Sequence, residues 1–144
     1  MAVTINGSGQ VPVQVVSITT TTATTTGSTA WSATALTLSI TPTNSANKIL
    51  ILVNTGFRMS VGGQPLLTVF RGATNLGGGT ASCFVSNYAG GGGDWRPASI
   101  SFLDSPATTS ATTYTVNTSS QAGSITCCPN DLTSTLTLME ISGA

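Results

Sequence analysis

Histidine is absent from this chain and charge is scarce, with four basic and four acidic residues in 144 positions. Histidine is the most frequent general base for a serine or cysteine nucleophile, so its absence removes the usual hydrolase triads. The acids fall on different predicted loops and strands, and no two are expected to face each other across a sugar. They are Asp94, Asp104, Asp131 and Glu140. We therefore expect a protein that is not an enzyme.

Other ligand classes are disfavoured as well. Three cysteines without histidine or CxxC spacing give no zinc set, so no cofactor or metal is expected; Cys83, Cys127 and Cys128 should be small, buried or half-buried thiols. The four cations form no basic run, which argues against nucleic acid. The longest apolar run, residues 49–53, is far shorter than the ~20 residues of a membrane span. Because no membrane span is predicted, no membrane partner is expected. Residues 1–7 also lack a signal-peptide pattern.

Threonine and serine are abundant, at 27 and 18 positions, and β-branched threonine favours strands over helices. Apolar and polar residues alternate with period two along most of the chain, as Leu36, Leu38 and Ile40 illustrate. The pattern predicts an all-β antiparallel sandwich of eight to ten short strands without significant helix. Residues 48–60 should form a central strand buried on both faces. We expect an N-terminal arm over residues 1–9 and one domain over residues 10–144.

The low charge also bears on assembly. Only 6% of residues are charged, against about a quarter in an ordinary soluble protein. Little electrostatic repulsion then keeps copies apart, which favours a subunit of an assembly. The alternative is a monomer hydrated by its hydroxyl groups.

Four residues around a glycine run at 90–93 are the best candidates for interaction through an exposed loop. They are Tyr88, Asp94, Trp95 and Arg96. Aromatic and arginine side chains are enriched at binding hot spots, and a glycine-rich loop lets them adapt. The alternative is that Trp95 plugs the end of the sandwich.

Two other sites have simpler interpretations. The side chain of Asp104 is expected to cap backbone amides in the turn that it forms with Ser105 and Pro106. Lys48 and Glu140 could form an ion pair between strands or subunits, but solvated positions at the rim are favoured.

Five stretches resemble a β-sandwich module found at the ends of phage fibre proteins and in small virion proteins of marine phages. They are residues 9–17, 38–51, 70–77, 103–116 and 136–141. The third stretch contains Arg71, and the fourth contains Asp104 and Tyr114. The similarity spans nearly the whole chain in the expected order. It implies a jelly roll of the tumour-necrosis-factor type, usually trimeric, and brings no catalytic residues.

The resemblance implies a structural virion protein. The sequence shows no coiled-coil heptads and no collagen-like shaft, and the first strand of the module begins within about ten residues of Met1, as read against the module. We therefore expect a homotrimeric decoration protein (a cement or head-fibre protein), made in the host cytoplasm and bound through the major capsid protein to the outside of a phage head. The candidates for capsid contact are Met1, Ala2, Val3, Thr4, Ile5 and Asn6.

Two alternatives remain open at this point. The first is a tail-fibre tip or receptor-binding module that recognises a glycan or protein on the host surface. The second is a secreted carbohydrate-binding sandwich unrelated to phages, against which the absence of a signal peptide and of a disulfide framework counts.

Overall fold

The computed structural model describes residues 12–60, 62–79, 81–87 and 95–143. The predicted arm with its six capsid-contact candidates, Tyr88, the glycine run and Asp94 lie outside these ranges. Within them, no helix is long and apolar enough to cross a membrane. The described strands are β1 (Pro12–Thr20), β2 (Thr24–Thr26), β3 (Ser32–Ile40), β4 (Lys48–Met59), β5 (Pro65–Arg71), β6 (Thr74–Asn75), β7 (Val85–Ser86), β8 (Trp95–Asp104), β9 (Thr112–Ser120), β10 (Ile125–Cys127) and β11 (Ser134–Ile141).

The strands form two antiparallel sheets packed face to face. In sheet A, β4 pairs with β8 along one edge and with β11 and then β10 along the other; β1 pairs with β11 and β2 with β10. In sheet B the order is β3, β9, β5, with the short strands β6 and β7 both on β5. The long strands from β3 onward alternate between the sheets along the chain. This is the strand arrangement of a jelly roll.

The predicted fold class is therefore confirmed. The number of strands in the described residues is eleven rather than eight to ten, because four of them, β2, β6, β7 and β10, have only two or three residues. Strands this short follow from turn geometry and local pairing, and they leave almost no period-two signal in the sequence.

Alternation along each long strand sends one set of side chains into the core between the sheets. In β4 the buried set includes Ile49, Ile51 and Val53, and β11 adds Leu136 and Leu138. The opposite side of β4 differs from our expectation: its apolar residues are only half-buried. β4 is central, as predicted, but within the described residues no layer of this chain encloses its second face.

Hydroxyl groups explain how so much threonine and serine fits into two sheets. On the outer faces they pair across strands, as between Ser39 and Thr113 at 2.7 Å and between Thr25 and Thr126 at 2.9 Å. In the interior, Thr118 donates to the carbonyl oxygen of Leu66 at 3.1 Å. Each pairing satisfies a polar group without introducing a charge.

Candidate assembly face and binding groove

The outer face of sheet A carries a continuous apolar row. Its residues are direct cross-strand neighbours on β1, β11, β4 and β8, namely Val15, Met139, Leu50 and Leu103. Val15 is 52% exposed and Leu103 is 45% exposed, while the two middle residues are half-buried. Single exposed apolar residues are ordinary, whereas a contiguous apolar set on one face is a candidate interaction surface. We call these four residues the apolar row.

A polar belt separates the apolar row from the far end of the same face. It consists of two further cross-strand rows, in which every residue except the half-buried Leu52 is polar: Ser17, Thr137, Leu52 and Ser101, then Thr19, Thr135, Asn54 and Ser99. Two pairs of its side chains are in hydrogen-bond contact: the hydroxyl oxygens of Ser17 and Thr137 are 2.9 Å apart, and Ser99 Oγ donates to Asn54 Oδ1 at 2.8 Å. The belt therefore divides the outer face into two regions of different shape.

Beyond the belt the surface forms a groove of about 630 Å³ with mainly apolar walls. Its lining residues are Asn54, Thr55, Trp95, Arg96, Pro97, Leu132 and Thr133. Trp95 is 44% exposed and Leu132 is 39% exposed. The volume lies in the range of small-ligand sites, about 300–1,000 Å³. We call this the Trp95 groove.

Two neighbours define the shape of the Trp95 groove. Leu132 lies over Gly56, where a Cβ atom would come within 2.9 Å of Leu132 Cδ1, so a larger residue at position 56 would displace Leu132. Arg58 is the cross-strand partner of Trp95, and its guanidinium carbon lies 5.8 Å from the centre of the indole ring. This cation–π contact stabilises the orientation of the ring.

Asp104 joins the two sheets instead of capping its own turn, and our expectation for it was wrong. Its carboxylate accepts two hydrogen bonds from Arg71 Nη1, at 2.8 and 2.9 Å, and one from the hydroxyl of Tyr114 at 2.7 Å. Asp104 ends β8 in sheet A, whereas Arg71 and Tyr114 belong to sheet B. Burial and the bond to Asp104 raise the pKa of Tyr114. The three residues lie in the stretches that resemble the phage module, and they form a structural contact between the sheets.

Glu140 is fully buried and is not a solvated rim residue, so that expectation was also wrong. Its carboxylate accepts hydrogen bonds from the backbone and hydroxyl of Thr43, at 2.7 and 2.8 Å, and from the amides of Asn47 and Gln14, both at 2.6 Å. Burial alone would raise its pKa, but these hydrogen bonds outweigh burial and lower the pKa to about 2. The carboxylate thereby fixes the loop between β3 and β4 against sheet A.

The cysteines behave as small buried or half-buried residues. Cys127 and Cys128 are fully buried with their sulfur atoms 3.6 Å apart, and Cys83 is half-buried. The hydrogen bond to Cys128 and burial raise the pKa of Cys127, so that thiol keeps its proton. In the ranges that the structure describes, no three cysteine, aspartate or glutamate side chains come together as a cation site.

Two of the four exposed-loop candidates, Trp95 and Arg96, lie within the described residues. Trp95 and Arg96 are the first two residues of β8, not part of a loop, and both line the Trp95 groove. Trp95 faces outward and does not plug the sandwich. Sequence reasoning missed Leu132, Gly56 and the apolar row. The signal for the row was the unbroken apolar run in β4, which places apolar side chains on both faces of that strand.

No protein-family model matches this chain, and no curated protein matches it either. The similarity to the phage module consequently depends on the five sequence stretches alone, and the functional argument depends on the two regions of the outer face.

Proposed function

We propose that this chain is a structural virion protein, a homotrimeric decoration protein on the outside of a phage head that binds the major capsid protein. The observation that carries the proposal is the apolar row on the outer face of sheet A. The threefold stoichiometry and the setting on a virion come from the sequence resemblance. The apolar row supplies the physical reason for self-association.

A second copy of this chain is the partner that suits the row best. The row crosses the full width of the four long strands of sheet A, so it offers a flat strip rather than a pocket. Neither the row nor the adjacent polar belt contains a charged side chain. Covering this area therefore avoids the desolvation cost of buried charge and gains free energy from each apolar side chain removed from water.

The oligomeric state tests the first part of the proposal. Light scattering on the purified protein should give three times the monomer mass of 14.4 kDa, and Leu103→Arg should give monomers because it places a charge in the row. Thr37→Arg is the matched control, since Thr37 is an exposed strand residue on the outer face of the other sheet, away from the row. A monomeric or dimeric wild-type protein would contradict the trimer. Equal effects of both substitutions would contradict the role of the row.

Binding to capsids tests the second part independently. The wild-type protein should bind phage capsids that lack decoration, and this can be measured by sedimentation of the mixture. Deletion of residues 1–9 should abolish that binding while leaving the trimer intact, because the arm supplies the capsid contact in this proposal. Undiminished binding by the truncated protein would rule out the arm as the contact.

A further inference from the structure

We propose that the Trp95 groove is a carbohydrate-binding site that takes one neutral pyranose ring of a glycan. The inference goes beyond the structural function, since it depends on a different region of the outer face. The apolar row and the groove lie on opposite sides of the polar belt, so the oligomer and the sugar site can fail or succeed separately.

The apolar part of the groove suits the carbon–hydrogen face of a sugar ring. Trp95 offers a half-exposed indole plane, and Leu132 and Pro97 add aliphatic surface beside it. A pyranose ring has one or both faces made of C–H groups, which pack against an aromatic plane as other apolar groups do. Arg58 stabilises the orientation of the indole before any ligand arrives, so little side-chain freedom is lost on binding.

The polar rim suits the hydroxyl groups at the edge of the same ring. Ser99 donates to Oδ1 of Asn54 at 2.8 Å, which assigns the Nδ2 group as the donor that remains for another acceptor. The exposed hydroxyl of Thr133 lies in the same lining and can donate or accept. A site of apolar walls with a few placed polar groups is typical of small-ligand pockets. A purely apolar partner would leave the Asn54 amide unpaired when it covered the groove.

Intrinsic fluorescence measures sugar binding directly in a variant with one tryptophan. The chain has two tryptophans, and Trp31→Phe leaves Trp95 as the single reporter while keeping an aromatic ring against Phe70. The probes are neutral oligosaccharides of glucose, galactose, mannose, N-acetylglucosamine and rhamnose. We expect at least one of them to change the emission of Trp95 in a saturable way at millimolar concentration.

Variants measured by calorimetry locate the site. Trp95→Ala should weaken the binding sugar by at least about tenfold, through loss of the stacking surface. Gly56→Ala should weaken it as well, because the new Cβ atom displaces Leu132 from the floor of the groove. Ser101→Ala, outside the groove on the same strand, should leave affinity unchanged. Thermal unfolding of each variant checks that the fold is intact.

Three outcomes would overturn the proposal. The first is that no sugar of the panel binds saturably to the wild-type protein. The second is that binding persists with unchanged affinity in Trp95→Ala, which would place the sugar elsewhere. The third is that the groove binds an apolar dye, in a manner lost in Trp95→Ala, while binding no sugar; the occupant would then be an apolar side chain of another protein.

Discussion

In the described residues, outward apolar side chains are covered by the chain itself on sheet B, whereas on sheet A a row of them is left uncovered. On sheet B, Phe70 is covered by Trp31, with ring centres 6.2 Å apart. Thr68 lies beneath the segment that follows β6, since Gly77 packs against it, and Leu66 is only 2% exposed. On sheet A, the apolar row has no such cover within the described residues, and its two end residues are about half exposed.

The difference shows which sheet removes its outward apolar side chains from water without a second molecule. Sheet B uses its own loops to remove outward apolar groups from water, so its outer face needs no further partner. Sheet A leaves a row of apolar side chains exposed to solvent, at a cost in free energy of about 25 cal/mol per Å² of exposed apolar area. A surface of this kind is stable when another molecule covers it, and this is the physical basis for placing the proposed self-association on sheet A.

The largest effect should come from breaking the contact that holds the two sheets in place. Asp104→Ala leaves the buried hydroxyl of Tyr114 and the guanidinium of Arg71 without their shared acceptor. We expect the free energy of unfolding to fall by about 2–4 kcal/mol, less than for a fully buried ion pair because the side chain of Arg71 is 30% exposed. Urea denaturation of the monomeric Leu103→Arg background measures this loss without a contribution from assembly.

Asp131→Ala is the matched control, because Asp131 is an exposed turn residue. It should change the free energy of unfolding by less than about 0.5 kcal/mol. If Asp104→Ala is as mild as this control, the two sheets are held together by the apolar core alone, and the difference between their outer faces does not depend on the Asp104 contact.

The fold could be predicted from the sequence, but the contacts of Asp104 and Glu140 could not. Alternation such as that of Leu36, Leu38 and Ile40 is a local signal, and it predicted strands and their core-facing sides. The partners of Asp104 are 33 and 10 residues away along the chain, and those of Glu140 are 93 to 126 residues away. A local interpretation assigned each carboxylate to its own turn or rim, because only the folded chain brings the donors together.

The apolar row could not be predicted from the sequence either, because it also depends on residues that are far apart along the chain. Each of its residues is one outward position in an alternating strand, and only the register across four strands makes them neighbours. The run at 49–53 did indicate an apolar second face on β4. The prediction that this face is buried does not hold for the described residues, because no layer of the chain within them covers it.

The next largest effect should come from acid, which weakens the contact that Glu140 makes between sheet A and the loop joining β3 to β4. The pKa of Glu140 is about 2 in the folded protein, below its ordinary value of 4.5. Its contribution to stability is therefore complete above about pH 4.5 and is lost as the pH falls through 2. Glu140→Gln should lower the free energy of unfolding at neutral pH by about 1–3 kcal/mol, because one oxygen that accepts from Gln14 is replaced by a donor.

Unfolding of the wild-type protein and of Glu140→Gln between pH 2 and 7 checks the assignment, because the difference between them should shrink toward pH 2. Amide exchange of Thr43, whose N–H donates to Glu140, should accelerate in the variant. A difference that stays constant with pH would mean that folding does not lower the pKa of Glu140.

Removing the cover from sheet B should make it resemble sheet A. Trp31→Ala exposes Phe70, and we expect it to cost about 1–2 kcal/mol of stability from lost aromatic packing. It should also increase binding of an apolar fluorescent dye. Trp95→Ala is the control with the same change of residue; it should cost only about 0.5–1 kcal/mol through the contact with Arg58. Unchanged dye binding in Trp31→Ala would mean that other residues cover Phe70.

The smallest effect concerns the hydroxyl pairs, which both outer faces use. On sheet B, Ser39 and Thr113 are 2.7 Å apart, and on sheet A, Ser17 and Thr137 are 2.9 Å apart. Double-mutant cycles with Ser→Ala and Thr→Val should give coupling energies of about 0.2–1 kcal/mol for each pair in the monomer, as for other cross-strand pairs.

The coupling energies of the two pairs should then diverge in the assembled protein. The pair on sheet A lies in the polar belt beside the apolar row, so a neighbouring copy that covers the row also removes water from Ser17 and Thr137, and their coupling energy should rise. The pair on sheet B should keep its monomer value. Equal coupling energies in monomer and assembly for both pairs would place the interface away from sheet A, whatever the mass of the oligomer.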